Sequence, residues 1–232
     1  MNFIPAEQME RIALNDFASY KDKKGLLQVS FPLDAEDIFH VLFGLSTSYI
    51  DFDEHGIKWK TGARLLGALY PDGFFFSGED RQILVNAGYH NSEDAELFPF
   101  VGQMQRFTVY LEGGHYAIHV RPGKSQTSLF PRGRDYYRDE PFLCRGDQIV
   151  GKIYDPVEYQ ANRYAGAMMM PSEEVYDLVG RTKSVDLRIH GSRFRQHFGV
   201  SQKAMEKRLL DLGYHYINGK YDELFKGREV HR

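Results

Sequence analysis

The chain has 232 residues, of which 42% are hydrophobic and 26% charged, and its formal net charge is -3. This length and composition are ordinary for a globular protein with one large domain or two small ones. The slightly negative charge gives no overall case for a nucleic-acid or membrane partner. A single cysteine, Cys144, excludes an internal disulfide and a structural metal site built from several cysteines, and it fits a reducing compartment.

The N-terminal stretch predicts no targeting segment. Charged side chains at Glu7, Glu10 and Arg11 interrupt any apolar core of a signal peptide. The chain also lacks a run of about 18 apolar residues, the length needed to cross a bilayer. We therefore expect a cytoplasmic protein without a membrane partner.

The first 88 residues predict two helices followed by strands. In residues 1–46, Pro5 near a first turn begins one helix, and Asp34 as N-cap and Gly44 as terminator delimit a second. In residues 47–88 the apolar side chains alternate instead, and a Pro-Asp-Gly turn at Pro71 separates two apolar runs. This pattern predicts a small antiparallel sheet of about three to five strands.

The remaining residues predict further helices around one long loop. In residues 99–181 we expect a helix over about 99–119, an irregular segment over 120–150, and helices over 156–169 and 172–181. Residues 184–213 predict a C-terminal helix pair that ends at Gly213. The order of helices, sheet and helices predicts one α+β domain, mainly helical, over residues 1–232.

Two of the predicted helices carry side chains that bind metals. Residues 106–119 read RFTVYLEGGHYAIH and hold Glu112, His115 and His119, while residues 158–171 read EYQANRYAGAMMMP and open with Glu158. In an HExxH motif, two histidines four apart share one helix face and grip a zinc ion, and the glutamate beside the first acts as base. Here the glutamate and the second histidine are in register, but Leu111 occupies the position of the first histidine.

These two stretches resemble the ImmA/IrrE family of zinc metallopeptidases. The first family stretch reads roughly RFTLAHELGHLLLH and aligns with this chain without a gap; the second reads roughly ExEANxFAxxLLMP and matches closely. Weaker similarity covers residues 84–86 and 198–213. The two stretches stand in the family's order, and His115 and Glu158 are 43 positions apart. The resemblance is therefore specific for the fold.

The resemblance implies a zinc-dependent peptidase reaction. His115 and Glu158 would be metal ligands, and Glu112 would be the general base for attack of water on a peptide carbonyl. The family typically cleaves a transcriptional repressor, often of the helix-turn-helix type, in stress, mobile-element or phage-defence responses. One zinc ion and a repressor supplied by another chain are therefore the expected cofactor and partner.

Leu111 leaves the activity open, because its side chain has no electron pair to give a metal. Two protein ligands instead of three should lower the affinity for zinc by orders of magnitude. His115 and His119 form an HxxxH pair, so His119 is a candidate substitute ligand in a site displaced by one helical turn. The alternative function is an inactive pseudo-peptidase that binds a partner protein as sensor or regulator.

The segment from Phe198 to Gly213 has helix-turn-helix character, with Lys203, Lys207 and Arg208 on its second helix. Alone, it would suggest binding to DNA. Within the resemblance it belongs to the peptidase domain, with its leucines packed inward, and direct DNA binding is not expected.

Overall fold

The structure of the chain is a computed structural model, which describes residues 4–57, 65–70, 81–88, 101–121, 142–145, 156–179, 184–217 and 220–223. It confirms an α+β fold in which helices predominate. The chain divides into two compact units, Met1–Val29 with Asp34–Met168 and Ser30–Leu33 with Met169–Arg232. This division does not test the expectation of one domain over residues 1–232, which stays a prediction. None of the described helices is long and apolar enough to cross a membrane.

Four helices build most of the first unit. They are α1 (Ala6–Lys24), α2 (Ala35–Phe43), α3 (Val101–His115) and α4 (Pro156–Met169). As predicted, the Asp34 side chain caps α2 by accepting the backbone N–H groups of Glu36 and Asp37, and Gly44 ends it. Beyond His115, α3 continues as a wider π-helical turn, Tyr116–Val120.

A four-stranded sheet completes the first unit. Its strands are β1 (Ser46–Ile50), β2 (Leu65–Tyr70), β3 (Gln82–Asn86) and β4 (Phe142–Arg145), in the order β1-β3-β2-β4. β2 pairs antiparallel with β3 and β4, but β1 pairs parallel with β3, so the sheet is mixed and the prediction of an antiparallel sheet was wrong in this detail. Alternation marks a strand, but it does not determine which strand becomes its neighbour.

The fourth strand lies within the segment 120–150, which the sequence pattern had left irregular. Within this segment the structure describes residues 120–121 and 142–145, and residues 142–145 pair with β2. The apolar run after Pro141 was the available signal, but it is shorter than a usual strand. β2 is thus a central strand, with β3 on one side and β4 on the other.

The described residues of the second unit form three helices and a small sheet. Its elements are α5 (Ser172–Val179), β5 (Ser184–Val185), α6 (Leu187–Phe198), α7 (Gln202–Asp211), β6 (Tyr214–Ile217) and β7 (Lys220–Glu223). The strands pair antiparallel in the order β5-β7-β6. The predicted C-terminal helix pair is therefore confirmed as α6 and α7, while the three strands around it were missed.

The strand before the helix pair and the hairpin after it each had a signal in the sequence. Asp186 caps α6, because its side chain accepts the backbone N–H of Arg188, and so the helix begins after the strand at Ser184–Val185. An Asn-Gly pair at Asn218 follows alternating residues and is a strong hairpin signal. A cap inside the predicted helix and a turn beyond its end thus indicated strands on both sides of the pair.

Candidate functional site

Two glycines allow α3 to lie unusually close to its neighbours. A Cβ atom at Gly113 would overlap the ring of Phe39 on α2, and one at Gly114 would lie 2.8 Å from the carbonyl oxygen of Ala161 on α4. Because these contacts exclude any side chain, the backbones of α3 and α4 approach each other directly. This close approach brings the residues that follow Gly114 next to the first turns of α4.

The predicted ligands His115 and Glu158 meet at this crossing. His115 Nε2 lies 3.2 Å from Glu158 Oε1, and the two side chains are 0% and 13% exposed. Two ligands of one tetrahedral zinc ion would be separated by about 3.3 Å, given metal–ligand bonds of about 2 Å. The second oxygen, Glu158 Oε2, is buried and accepts no hydrogen bond from the described residues. The pair therefore has the spacing of two ligands for one cation.

Glu112 lies on α3 facing the sheet. Its side chain is fully buried, and its Oε1 would be 3.3 Å from a Cβ atom at Gly67 in the central strand β2. That Cβ would also overlap the methyl group of Thr108, which lies one turn earlier on α3. Glycine at this point of β2 thus leaves room for the carboxylate that the resemblance identifies as general base.

Leu111 lies in an apolar cluster instead of facing a metal. It is 0% exposed and packs with Leu66 of β2 and Ala161 of α4, while Met104 and Phe107 of the same helix lie against the cluster. A leucine buried this completely contributes roughly 2 kcal/mol or more to stability. The first-ligand position of the motif has therefore become a packing position that joins helix α3, helix α4 and the sheet.

His119 stands beside His115 but is already held by the backbone. The two ring centroids are 5.6 Å apart, and His119 Nε2 lies 3.2 Å from the carbonyl oxygen of Val157. A carbonyl only accepts hydrogen bonds, so Nε2 carries the proton and Nδ1 holds the lone pair. Burial, and next the proximity of His115, lower the pKa of His119 to about 3, while the Val157 hydrogen bond raises it slightly. His119 is therefore neutral near pH 7.

The residues at this crossing do not fit the zinc ion that the resemblance implies. A catalytic zinc site uses three protein ligands and an open position. His115 and Glu158 supply two, Leu111 supplies none, and Nε2 of His119 is engaged by Val157. Within the part of the chain that the structure describes, no three His, Cys, Asp or Glu side chains are placed to hold a metal. We therefore derive no step through zinc.

A buried polar network that the sequence did not reveal supports the crossing. Asp16 of α1, only 4% exposed, accepts a hydrogen bond from Tyr164 of α4 at 3.0 Å and one from Arg121 at 2.7 Å. Burial, and next the Asp16 charge, raise the pKa of Tyr164, which keeps it a donor. The available signal was an aspartate at a buried helical position, three residues after Ala13.

The asparagine of the second matching stretch has a local structural role. Asn162 Nδ2 donates to the backbone carbonyl of Glu158, 2.8 Å away and one turn earlier on α4. This bond lies within the helix that carries Glu158, so it steadies the turn from which that carboxylate projects.

Comparison with known families gives one match. Residues 102–210 match the family model Peptidase_M78, described as an IrrE N-terminal-like domain, which covers just under half of the chain. No curated protein matches the chain significantly. The matched residues include Leu111, Glu112, His115 and Glu158, and so contain both site helices and the helix-turn-helix. Residues 102–210 therefore form a domain of the Peptidase_M78 family, as their resemblance to the ImmA/IrrE metallopeptidases predicts.

Proposed function

We propose that this chain is a pseudo-peptidase: a Peptidase_M78 domain that binds a partner protein but does not hydrolyse it by the family's zinc reaction. The observation that carries the proposal is the full burial of Leu111 among Leu66 and Ala161. A leucine at a ligand position cannot form a bond to the metal. Because this leucine is packed in the core, its side chain also occupies the space where a ligand would lie.

The remaining site residues are consistent with this function. His115 and Glu158 lie 3.2 Å apart and face each other across the helix crossing. A histidine and a carboxylate at this distance attract each other whenever the histidine is protonated. The same two residues that hold zinc in an active relative would thus join α3 to α4 in this chain.

The proposed partner follows from the family resemblance. ImmA/IrrE proteins act on transcriptional repressors, often of the helix-turn-helix type, and a pseudo-peptidase can keep the binding surface for such a repressor. It would then sense or sequester the repressor, in the same stress, mobile-element or phage-defence setting, without cutting it.

The test compares the purified, unchelated parent chain with Leu111→His, which supplies the missing ligand. We expect well below one zinc per parent chain by mass spectrometry, and a gain of zinc binding by orders of magnitude in the variant. We also expect hydrolysis of unfolded casein only by the zinc-loaded variant. Leu111→Gln is the matched control, because it places a polar group in the same cluster without a strong zinc ligand.

The contrary result concerns the parent chain and does not depend on how well the variants fold. About one zinc per parent chain, lost in His115→Ala and accompanied by casein hydrolysis, would overturn the proposal. It would establish instead the active zinc peptidase that the resemblance implies, with a replacement for the ligand that Leu111 lacks. His119→Gln would then show whether His119 is that replacement.

A further inference from the structure

The second unit has the topology of a winged helix-turn-helix. Three residues, 199–201, separate α6 from α7, and Gly199 adopts a left-handed φ of 60° that permits so tight a turn. A strand precedes the helix pair, an antiparallel hairpin follows it, and the sheet order β5-β7-β6 places β7 between the other two strands. This β-helix-turn-helix-β-β order is shared by many modules that insert their second helix into the DNA major groove.

Buried contacts and a helix cap fix the position of the helix pair within the second unit. Ser201 caps α7 by accepting the backbone N–H of Ala204, and Arg208, only 2% exposed, donates from Nε to the carbonyl oxygen of Met170. Phe194 and Phe198 of α6 are 1% exposed and form part of the core. A presented helix that is fixed in this way loses little conformational freedom on binding.

The outer surface of the pair is basic. α6 contains three arginines and no Asp or Glu, and residues 184–223 carry seven Lys or Arg against five Asp or Glu, whereas the whole chain has a net charge of -3. Arg193, Arg195 and Lys203 are exposed, and none forms an ion pair with the described residues. By contrast, Arg188 pairs with the cap residue Asp186 at 2.8 Å. Three cations are thus available to a ligand.

Against the expectation from the sequence, we propose that the second unit binds double-helical DNA, with α7 in the major groove and Arg193 and Arg195 on the phosphate backbone. The first turns of α7 expose Lys203 and Gln202, and Gln202 Nε2 also donates to Glu206. Lys207, one turn later, pairs with Asp211 at 3.8 Å. Lysine and glutamine side chains hydrogen-bond base edges. In a helix-turn-helix the preceding helix crosses the backbone, where Arg193 and Arg195 would neutralise phosphates. This inference goes beyond the proposed function and does not depend on it.

Charge favours DNA over a protein partner on this face. Ile189, Leu210 and Tyr216 are exposed, but apolar residues on a surface are ordinary. Helix α6 carries arginines and no carboxylate, so its surface matches a polyanion, although α7 also carries Glu206 and Asp211. The shape favours DNA over duplex RNA, because the A-form major groove is too deep and narrow to admit a helix. The expected ligand is therefore B-form DNA, with most of the affinity coming from the phosphates.

The test measures fluorescence anisotropy of a labelled, mixed-sequence duplex of about 30 base pairs with the full chain, from about 50 to 200 mM salt. We expect a Kd of roughly 10⁻⁶ to 10⁻⁴ M and a steep loss of affinity with salt. Arg193→Gln and Arg195→Gln should each reduce the slope of log K against log salt by about 0.9. Arg11→Gln on α1, an equal loss of charge at another exposed position, should leave the slope unchanged.

Three outcomes would overturn the inference: no duplex binding at about 50 mM salt, equal losses in Arg11→Gln and the α6 variants, or equal affinity for duplex RNA. Lys203→Gln adds a second readout, because it should weaken binding while Arg193 and Arg195 are retained. Circular dichroism establishes that each exposed variant is folded. All measurements are made with a chelator present, so the zinc content that tests the pseudo-peptidase proposal has no influence on the result.

Discussion

The two helix pairs of this protein, α3 with α4 and α6 with α7, differ in the solvent exposure of the side chains assigned to their candidate sites. In the first pair, Glu112 and His115 are fully buried and Glu158 is nearly so. In the second pair, Arg193 and Arg195 are exposed to solvent without an ion-pair partner among the described residues. Both pairs lie within the same family match.

This difference in exposure means that the second pair, and not the first, presents charged side chains to solvent. Burying a carboxylate and an imidazole costs free energy, which a metal would offset in an active enzyme. Leu111 stands where the motif has its first histidine ligand, and its apolar side chain packs in the core. Arg193 and Arg195 of α6 carry no such cost, because both remain in solvent. We therefore expect substitutions in the first pair to change stability and those in the second to change binding.

The largest expected effect contrasts two leucines. Leu111→Ala should lower the free energy of unfolding by about 2–5 kcal/mol, because it opens a cavity between α3, α4 and β2. Leu210→Ala on α7, where the side chain is 50% exposed, should change it by about 0.5 kcal/mol or less. Urea denaturation of both variants measures the difference. Equal losses would mean that the second pair is as much a part of the core as the first.

A second contrast uses one substitution at four glycines in helices. Gly113→Ala and Gly114→Ala should destabilise the protein by about 1–3 kcal/mol or more, since the new methyl groups meet Phe39 and the Ala161 carbonyl. Gly102→Ala and Gly166→Ala, on the same two helices, meet nothing within 4 Å. These controls should stabilise the protein by about 0.5–1 kcal/mol through helix propensity alone.

Thermal unfolding monitored by circular dichroism gives the sign for each of the four glycine variants. A stabilising Gly114→Ala would mean that α3 and α4 are not in backbone contact, and the distance between His115 and Glu158 would then no longer rest on that packing. A destabilising Gly102→Ala would instead point to a cost of the methyl group unrelated to the crossing.

The sequence predicts the site helices better than their surroundings. The resemblance to the family stretches implied that His115 and Glu158 meet, and helix spacing placed His115 and His119 on one face. The same pattern could not show that Leu111 packs on Leu66, since that contact depends on a strand about 45 residues earlier in the chain. Nor could it pair Asp16 with Tyr164 across 148 residues. Long-range partners are set by the tertiary fold and not by local periodicity.

The last contrast is a pH dependence that differs between the two pairs. Folded His119 has a pKa of about 3, whereas an unfolded histidine titrates near 6.5. Between these values only the unfolded chain takes up the proton, so stability should fall with decreasing pH by up to about 1.4 kcal/mol per pH unit. His119→Gln, which keeps a donor for the Val157 carbonyl, should flatten the profile in this range when measured with a chelator.

Asp186, the cap of α6, provides the matched control in the second pair. Its hydrogen bonds with Arg188 lower its pKa to about 2, against an unfolded value near 3.9. Its stabilising effect is present above about pH 4 and is lost as the pH falls through about 2. Asp186→Asn keeps the N-cap and should leave the slope between about pH 4 and 6.5 unchanged. If His119→Gln also leaves that slope unchanged, His119 takes up its proton in the folded protein over the same pH range as in the unfolded chain. The ring would then be solvated or displaced from Val157, and the helix crossing would be more open than its packing indicates.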